Sequence, residues 1–163
     1  MLKTVLIPFL IPFLCFSQQK GPDSSSINEI VRKIDKLSKT SSRLFTNTKV
    51  INNKKVKEAW QHFDNKQLAK IIINYTIDST SYSEEYYFKD GSLIYAYEKE
   101  ILSSPFLGMD EYSEWACEFY FSKGKLIDLA TLGHGKSESD DWDPEKETLQ
   151  RMEKRKKELA SLK

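Results

Sequence analysis

Glu85-Tyr86-Tyr87-Phe88-Lys89-Asp90-Gly91-Ser92-Leu93-Ile94 is written a second time, 33 residues on, as Glu118-Phe119-Tyr120-Phe121-Ser122-Lys123-Gly124-Lys125-Leu126-Ile127. Each copy is an aromatic run, a two-residue turn with glycine second, and an apolar return. Glycine accepts the positive φ that a tight hairpin turn requires, so each copy predicts a β-hairpin. Phe63-Asp64-Asn65-Lys66-Gln67-Leu68 is a degenerate third copy that keeps Phe and Leu at the same separation. Its Asn65 is the residue type, after glycine, that best tolerates positive φ. Ile51-Asn52-Asn53-Lys54-Lys55-Val56 reads as a weaker fourth turn.

Outward from these turns, the pattern predicts strands over residues 55–63, 67–77, 82–89, 92–101, 112–122 and 125–132. Short connections make them an antiparallel meander. Pairs counted back from unbulged turns set Phe88 opposite Leu93 and Tyr86 opposite Tyr95. In the second copy they set Phe121 opposite Leu126, Cys117 opposite Ala130 and Trp115 opposite Leu132. Glu85, Tyr87, Glu98, Glu118 and Tyr120 then share the other face, which is mixed and half exposed. The first hairpin disagrees in phase, so it requires either a bulge or a twist away from the sheet. The segment 102–111, with Pro105 and Gly108, is a long loop.

Two helices frame the strands. Ser26 and Glu29 fit a capping box, and Ile27, Ile30, Val31, Ile34 and Leu37 follow at helical spacing. This amphipathic helix of about three turns is too short to persist alone, and the aromatic sheet face is its expected partner. Asp143-Pro144-Glu145 opens a second helix over 144–161, charged, weakly amphipathic and expected to be largely solvated. The fold class is therefore α+β: an antiparallel β-meander of about six strands packed on an N-terminal amphipathic helix, with a charged C-terminal helix.

Met1-Leu2-Lys3, an apolar run to Phe16 and then Ser17-Gln18 read as a signal peptide, residues 1–17, with cleavage after Ser17. The run is shorter than the roughly 20 apolar residues of a membrane span. Leu14, Phe13 and Pro12 precede Cys15 where a lipoprotein needs small residues, which disfavours anchoring at Cys15. Residues 18–25 are a polar leader, and 26–163 form a single domain. The formal net charge of +1 falls to zero once Lys3 leaves, which gives no footprint for nucleic acid. Cys117 remains the sole thiol of the mature chain and has no internal disulfide partner. Charge is unevenly spread: residues 78–118 carry ten acids against two lysines, whereas 49–70 and 143–163 are net basic. Mutual pairing of these blocks is the simplest reading.

No catalytic spacing emerges. Gly133-His134-Gly135 reads as a strand end needing backbone freedom, and His62 beside Trp60 as structural. Cys117 reads as a buried hydrophobe rather than half of a thiol–imidazole dyad with His134. Glu138, Asp140, Asp141, Asp143 and Glu145 lack the glycine and glutamate spacing of an EF-hand, so no metal and no cofactor is assigned. Asn74-Tyr75-Thr76 matches a glycosylation sequon inside a strand.

The Tyr-Tyr-Phe-x-x-Gly-x-Leu-Ile phrase, over residues 82–132, resembles that of small exported bacterial proteins of unknown function with repeated hairpins of this type. The resemblance implies a style of fold and an envelope address, and carries over no functional residue. The leading expectation is a non-enzymatic periplasmic or secreted binding module that meets an envelope protein through an open sheet face or edge. The alternative is a small hydrolase or glycan-binding domain using Glu85, Glu98 and Glu118 with Tyr87 and Tyr120.

Overall fold

Asp90-Gly91 and Lys123-Gly124 turn with positive φ at both residues (51° and 77°, 52° and 76°), the geometry whose twist matches that of paired strands. The computed structural model describes residues 22–103 and 112–162. The order is α1 (Ser24–Ser41), β1 (Arg43–Ile51), β2 (Lys54–Asn65), β3 (Gln67–Ile77), β4 (Thr80–Lys89), β5 (Ser92–Ser103), β6 (Tyr112–Ser122), β7 (Lys125–Gly133) and α2 (Pro144–Leu162), with a short 3-10 turn at Lys136–Glu138 before α2. The strands form one seven-stranded antiparallel sheet in sequence order. The fold is α+β, as the pattern predicts. The signal peptide, residues 18–21 of the leader and most of the 102–111 loop lie outside the described residues, whereas Ser24 and Ser25, expected in the leader, already belong to α1.

The weak fourth turn is real. Asn52 and Asn53 both take positive φ (49° and 61°), and the turn adds β1, a strand absent from the six expected ones. In the first hairpin the positive φ falls on Lys66 (63°) rather than Asn65. Asp23, not Ser26, caps α1, its carboxylate accepting the Ser26 N–H at 2.9 Å. The helix runs 18 residues, about 27 Å at 1.5 Å per residue.

The larger correction concerns register. Tyr87 pairs with Tyr95 but Phe88 with Leu93, which leaves Ile94 as an extra residue. The same shift recurs between Tyr120/Phe121, leaving Ile127, and between Phe63/Asp64, leaving Ala69. Each of the three aromatic hairpins therefore bulges on its return strand. Tyr86 faces Ala96 rather than Tyr95, Cys117 faces Thr131 rather than Ala130, and Trp115 faces Gly133 rather than Leu132. Each bulge reverses the phase of the rest of its return strand, so Tyr95 joins Tyr87 and Tyr120 on one side of the sheet while Tyr86, Phe88, Phe119 and Phe121 keep the other.

Each side has its own helix. Trp60, Ile71, Ile73, Tyr86, Phe88, Phe119 and Phe121 pack with Met152 and Leu159 of α2. Phe63, Ala69, Tyr87, Tyr95 and Tyr120 pack with Ile27 and Ile34 of α1. The face bearing Tyr86 and Phe88 is thus covered by the C-terminal helix, not the N-terminal one, and α2 is docked rather than solvated. Glu145 pins its start by accepting the Leu126 N–H at 2.8 Å, and Asp143 caps it through the Lys146 N–H at 2.9 Å.

A Cβ at Gly124 would meet nothing within 4 Å, so Gly124→Ala isolates the cost of positive φ. The expected loss is roughly 1 kcal/mol, read as a lower urea midpoint with an unchanged slope. An unchanged midpoint would contradict the turn geometry.

Candidate functional site

On the α1 side, β-pairing aligns Tyr87, Tyr95 and Tyr120 across β4, β5 and β6. The next row along the strands is Glu85, Tyr97 and Glu118. Tyr95 stacks edge-on against both neighbours, with ring centroids 5.5 and 5.3 Å apart. The Tyr87 hydroxyl reaches Asp35 of α1 at 2.9 Å and Glu85 at 2.8 Å. Tyr120 donates to Glu118 at 2.7 Å and accepts from Asn28 at 3.2 Å. Lys70 completes the seam by pairing with Asp35 at 2.5 Å. Four of the five candidate residues, Glu85, Tyr87, Glu118 and Tyr120, are therefore brought together, and their polar atoms hold the helix down. Burial first, then the neighbouring carboxylates, push the Tyr87 and Tyr95 hydroxyls above their usual range, so both stay neutral donors.

Glu98, the fifth, is on the other side. The extra residue Ile94 reverses its phase, so it sits beside Glu84 and Cys117 under α2 and is 3% exposed. Its surroundings escaped sequence reasoning altogether. Arg155 enters from α2, donating to Glu84 at 2.6 and 2.8 Å and to Glu58 at 3.1 Å. Arg155 and both glutamates are buried. Tyr75 and Tyr86 each donate to Glu84 at 2.9 Å, and the Trp60 indole donates to Glu58 at 3.0 Å. Lys49 pairs with Glu58 at 2.5 Å. Arg151 and Lys136 pair with Glu98 on one carboxylate oxygen, while its Oε1 is buried and has no hydrogen-bond partner among the described residues. Burial alone would raise the Glu84 carboxyl, but the Arg155 hydrogen bonds and charge, with both tyrosines donating, outweigh it and hold it below the carboxylate range.

This cluster borders a cavity of about 300 Å³ lined by Tyr75, Tyr82, Glu84, Glu98, Lys136 and Arg151. Its carboxylates face basic partners, so the acidic stretch 78–118 is matched by the chain's own C-terminal cations. That is the self-complementary reading of the charge blocks. It accounts for the cluster as a clamp on α2.

The remaining candidates are structural. At Gly133 (φ 76°) a Cβ would lie 1.8 Å from the Glu114 carbonyl oxygen, and at Gly135 2.6 Å from the Trp115 ring. Both glycines flanking His134 are thus sterically required by close approach to β6. His134 itself is exposed and ion-paired with Glu138. Its hydrogen bond to Glu138, and then that charge, raise its pKa. Cys117 is buried, and burial followed by Glu98 and Glu118 pushes its thiol up to about 12, far from a nucleophile's range. His62 packs edge-on to Phe45 at 5.9 Å. Among the described residues no His, Cys, Asp or Glu group is arranged to hold a metal ion, and no helix is long and apolar enough to cross a membrane.

The α1-side face extends past the helix. Beyond the tyrosine rows lie Ala59, Asn74, Ser83 and Lys99 in one row, and Thr76, Ser81 and Ile101 in the next. With Lys57 and Thr46 they line an open depression of about 680 Å³. Its lining mixes hydroxyl, amide and ammonium groups with Ala59, Ile101 and the rings of Tyr75 and Tyr82, and holds no carboxylate. Lys99 pairs with Glu114 at 2.5 Å. The sequon Asn74-Tyr75-Thr76 falls within β3 here, and both Asn74 and Thr76 are exposed. No signal in the sequence singled out this patch, because only register places its residues together.

No protein-family model matches the chain, and no curated protein or solved structure matches it either.

Replacing Arg155 tests the clamp. Arg155→Ala leaves Glu58 and Glu84 buried without their partner, an expected loss of about 3–5 kcal/mol at pH 7. In the native protein the Glu84 pKa is depressed, so its contribution is present above the unfolded value near 4.5 and is lost as pH falls through the lower folded value. In the variant burial dominates and raises the folded pKa, so stability should rise from pH 7 to pH 5. Urea titrations at the two values check the sign: the native protein holds level or weakens, whereas the variant strengthens.

Proposed function

We propose that the protein is a non-enzymatic binding module of the periplasm or the extracellular space, and that it binds through the part of the α1-side sheet face left open beyond the helix. The observation that carries this reading is the 680 Å³ depression over β2–β5. It is lined by short side chains (Ala59, Asn74, Thr76, Ser81, Ser83) together with Tyr75, Tyr82 and Ile101, and Lys57 and Lys99 come from strands on opposite sides of it. Short polar side chains give an incoming chain hydrogen-bond partners without a deep pocket. The Lys57 ammonium favours an acidic partner, while Lys99 is already paired with Glu114. A segment of an envelope protein carrying Asp or Glu fits this chemistry.

The hydrolase alternative loses support because the carboxylates it names are committed to other groups. Glu85 and Glu118 accept tyrosine hydroxyls beneath α1, and Glu98 lies across the sheet, paired with Arg151. Glu85 and Glu118 do share one row, on either side of Tyr97, but a glycosidase pair must flank an accessible substrate bond, whereas these two are taken up by the tyrosines that dock α1. A glycan partner without catalysis remains compatible with the hydroxyls of the floor, but Lys57 favours the acidic polypeptide.

A photo-crosslinking amino acid at Ser81 should capture one defined envelope protein in cells. Lys57→Glu should reduce that capture at least tenfold while leaving the thermal midpoint within a few degrees. Equal capture from Ser81 and from Glu153 on the exposed side of α2, or capture indifferent to charge reversal, would contradict the proposal.

A further inference from the structure

β1 ends the sheet, and among the described residues nothing pairs with its outer edge. An unpaired strand offers a row of N–H and C=O groups to another chain unless its sequence blunts the edge. The two edges of this sheet differ in that respect. β7 carries the bulge at Ile127, the charge of Asp128 in mid-strand and a positive-φ glycine at its end. β1 pairs with β2 over nine residues without a register shift and contains no proline. Its one mid-strand charge, Lys49, is already compensated by Glu58 and Glu158.

β1 also reads nearly the same in both directions. Arg43-Leu44-Phe45-Thr46-Asn47-Thr48-Lys49-Val50-Ile51 places Thr46 and Thr48, then Leu44 and Val50, symmetrically about Asn47. Leu44 is 76% exposed and Val50 66% exposed, which puts them among the most exposed large apolar side chains of the chain. Both project on the α1 side with Thr46 and Thr48, because strand residues alternate between faces.

We infer that β1 is a homodimer edge: a second copy of this chain adds its own β1 antiparallel, about a two-fold axis through Asn47 and normal to the sheet. That register pairs Thr46 with Thr48 of the partner subunit and Leu44 with Val50 of the partner subunit. Phe45 faces the partner's Lys49, and Arg43 faces the partner's Ile51. The members of every pair are separated by an even number of positions, so both fall on the same face and hydrogen-bond phase is kept. The two-fold makes the contact isologous and closed, so growth stops at two copies. On the α1 side it gathers two Leu44 and two Val50 side chains into one apolar strip flanked by threonine pairs, the kind of cross-strand contact that stabilises a sheet. The same edge is basic, with Arg43, Lys55 and Lys57 near it in each copy, so added salt should strengthen the dimer by screening.

Sedimentation velocity of the purified protein over a concentration series tests this directly. The expected result is a species of twice the chain mass that gains population as salt rises. Leu44→Lys with Val50→Lys should weaken association at least tenfold, with an unchanged circular dichroism melt. Mixing L44K/V50K with L44E/V50E should restore a dimer, since opposite charges then face each other. Register is read separately: Asn47→Cys should crosslink to itself under mild oxidation. Thr48→Cys should not, because its copies sit diagonally, beyond the roughly 7 Å Cα limit of a disulfide. A protein that stays monomeric at every concentration and salt level, a dimer indifferent to L44K/V50K, or crosslinking at Thr48→Cys but not Asn47→Cys would overturn the inference.

Discussion

Three bulges, at Ala69, Ile94 and Ile127, are the constraint on which the rest of the structure depends. Without them the return strands would keep strict alternation, and Tyr95 and Tyr97 would fall on the side of Tyr86 while Ala96 and Glu98 fell on the side of Tyr87. With them, Tyr95 joins Tyr87 and Tyr120 on one side, and Ala96 and Glu98 join Tyr86, Phe88, Phe119 and Phe121 on the other. A sheet with aromatic rings on both faces must be covered twice. The chain supplies a helix before the strands and a helix after them, and each docks on the side that its own residues match.

The two helices are held differently. α1 inserts Ile27 and Ile34 beside the tyrosine row and adds hydrogen bonds from Asp35 and Asn28 to tyrosine hydroxyls. α2 is poorer in apolar residues and is anchored by Arg155 threaded between Glu58 and Glu84, with Met152 and Leu159 on either side in sequence. A buried ion pair contributes modestly to net stability, because desolvation of both partners offsets the attraction. What it does impose is position: a guanidinium with two carboxylates and three aromatic donors around it tolerates one placement of the helix. Burial of the paired rings supplies most of the stabilisation, at roughly 25 cal/mol per Å² of apolar surface.

Much of this was legible in the sequence, and what was not has identifiable causes. The turn glycines, the meander and the α+β class follow from turn chemistry and periodicity. The phase mismatch of the first hairpin pointed to a bulge or a twist, and a bulge is found there at Ala69, but the other two do not show, because an extra apolar residue such as Ile94 beside Leu93 looks the same whether or not it is paired. A clue did exist: Tyr86-Tyr87-Phe88 and Phe119-Tyr120-Phe121 are unbroken aromatic runs, which mark strands buried on both faces. That reading would have assigned a second helix to the sheet, and with it the C-terminal one. The grouping of Glu98 with Glu85 and Glu118 failed for the same reason, since one extra residue reverses a strand's phase. Arg155 was hidden because a charged residue on a weakly amphipathic helix ordinarily faces water, and only the acidic block 78–118 hinted at its partners. The open patch around Asn74 and Ser81 was not legible, being a product of register alone.

The bulged register therefore sets both the core and the surface on which the functional reading rests. Cross-strand nuclear Overhauser contacts between backbone protons report that register residue by residue. The account predicts contacts between Tyr87 and Tyr95 and between Glu118 and Ala130, with Met152 of α2 touching the Phe119 side of the sheet. Contacts between Tyr86 and Tyr95 and between Cys117 and Ala130, the unbulged pairing, would contradict it.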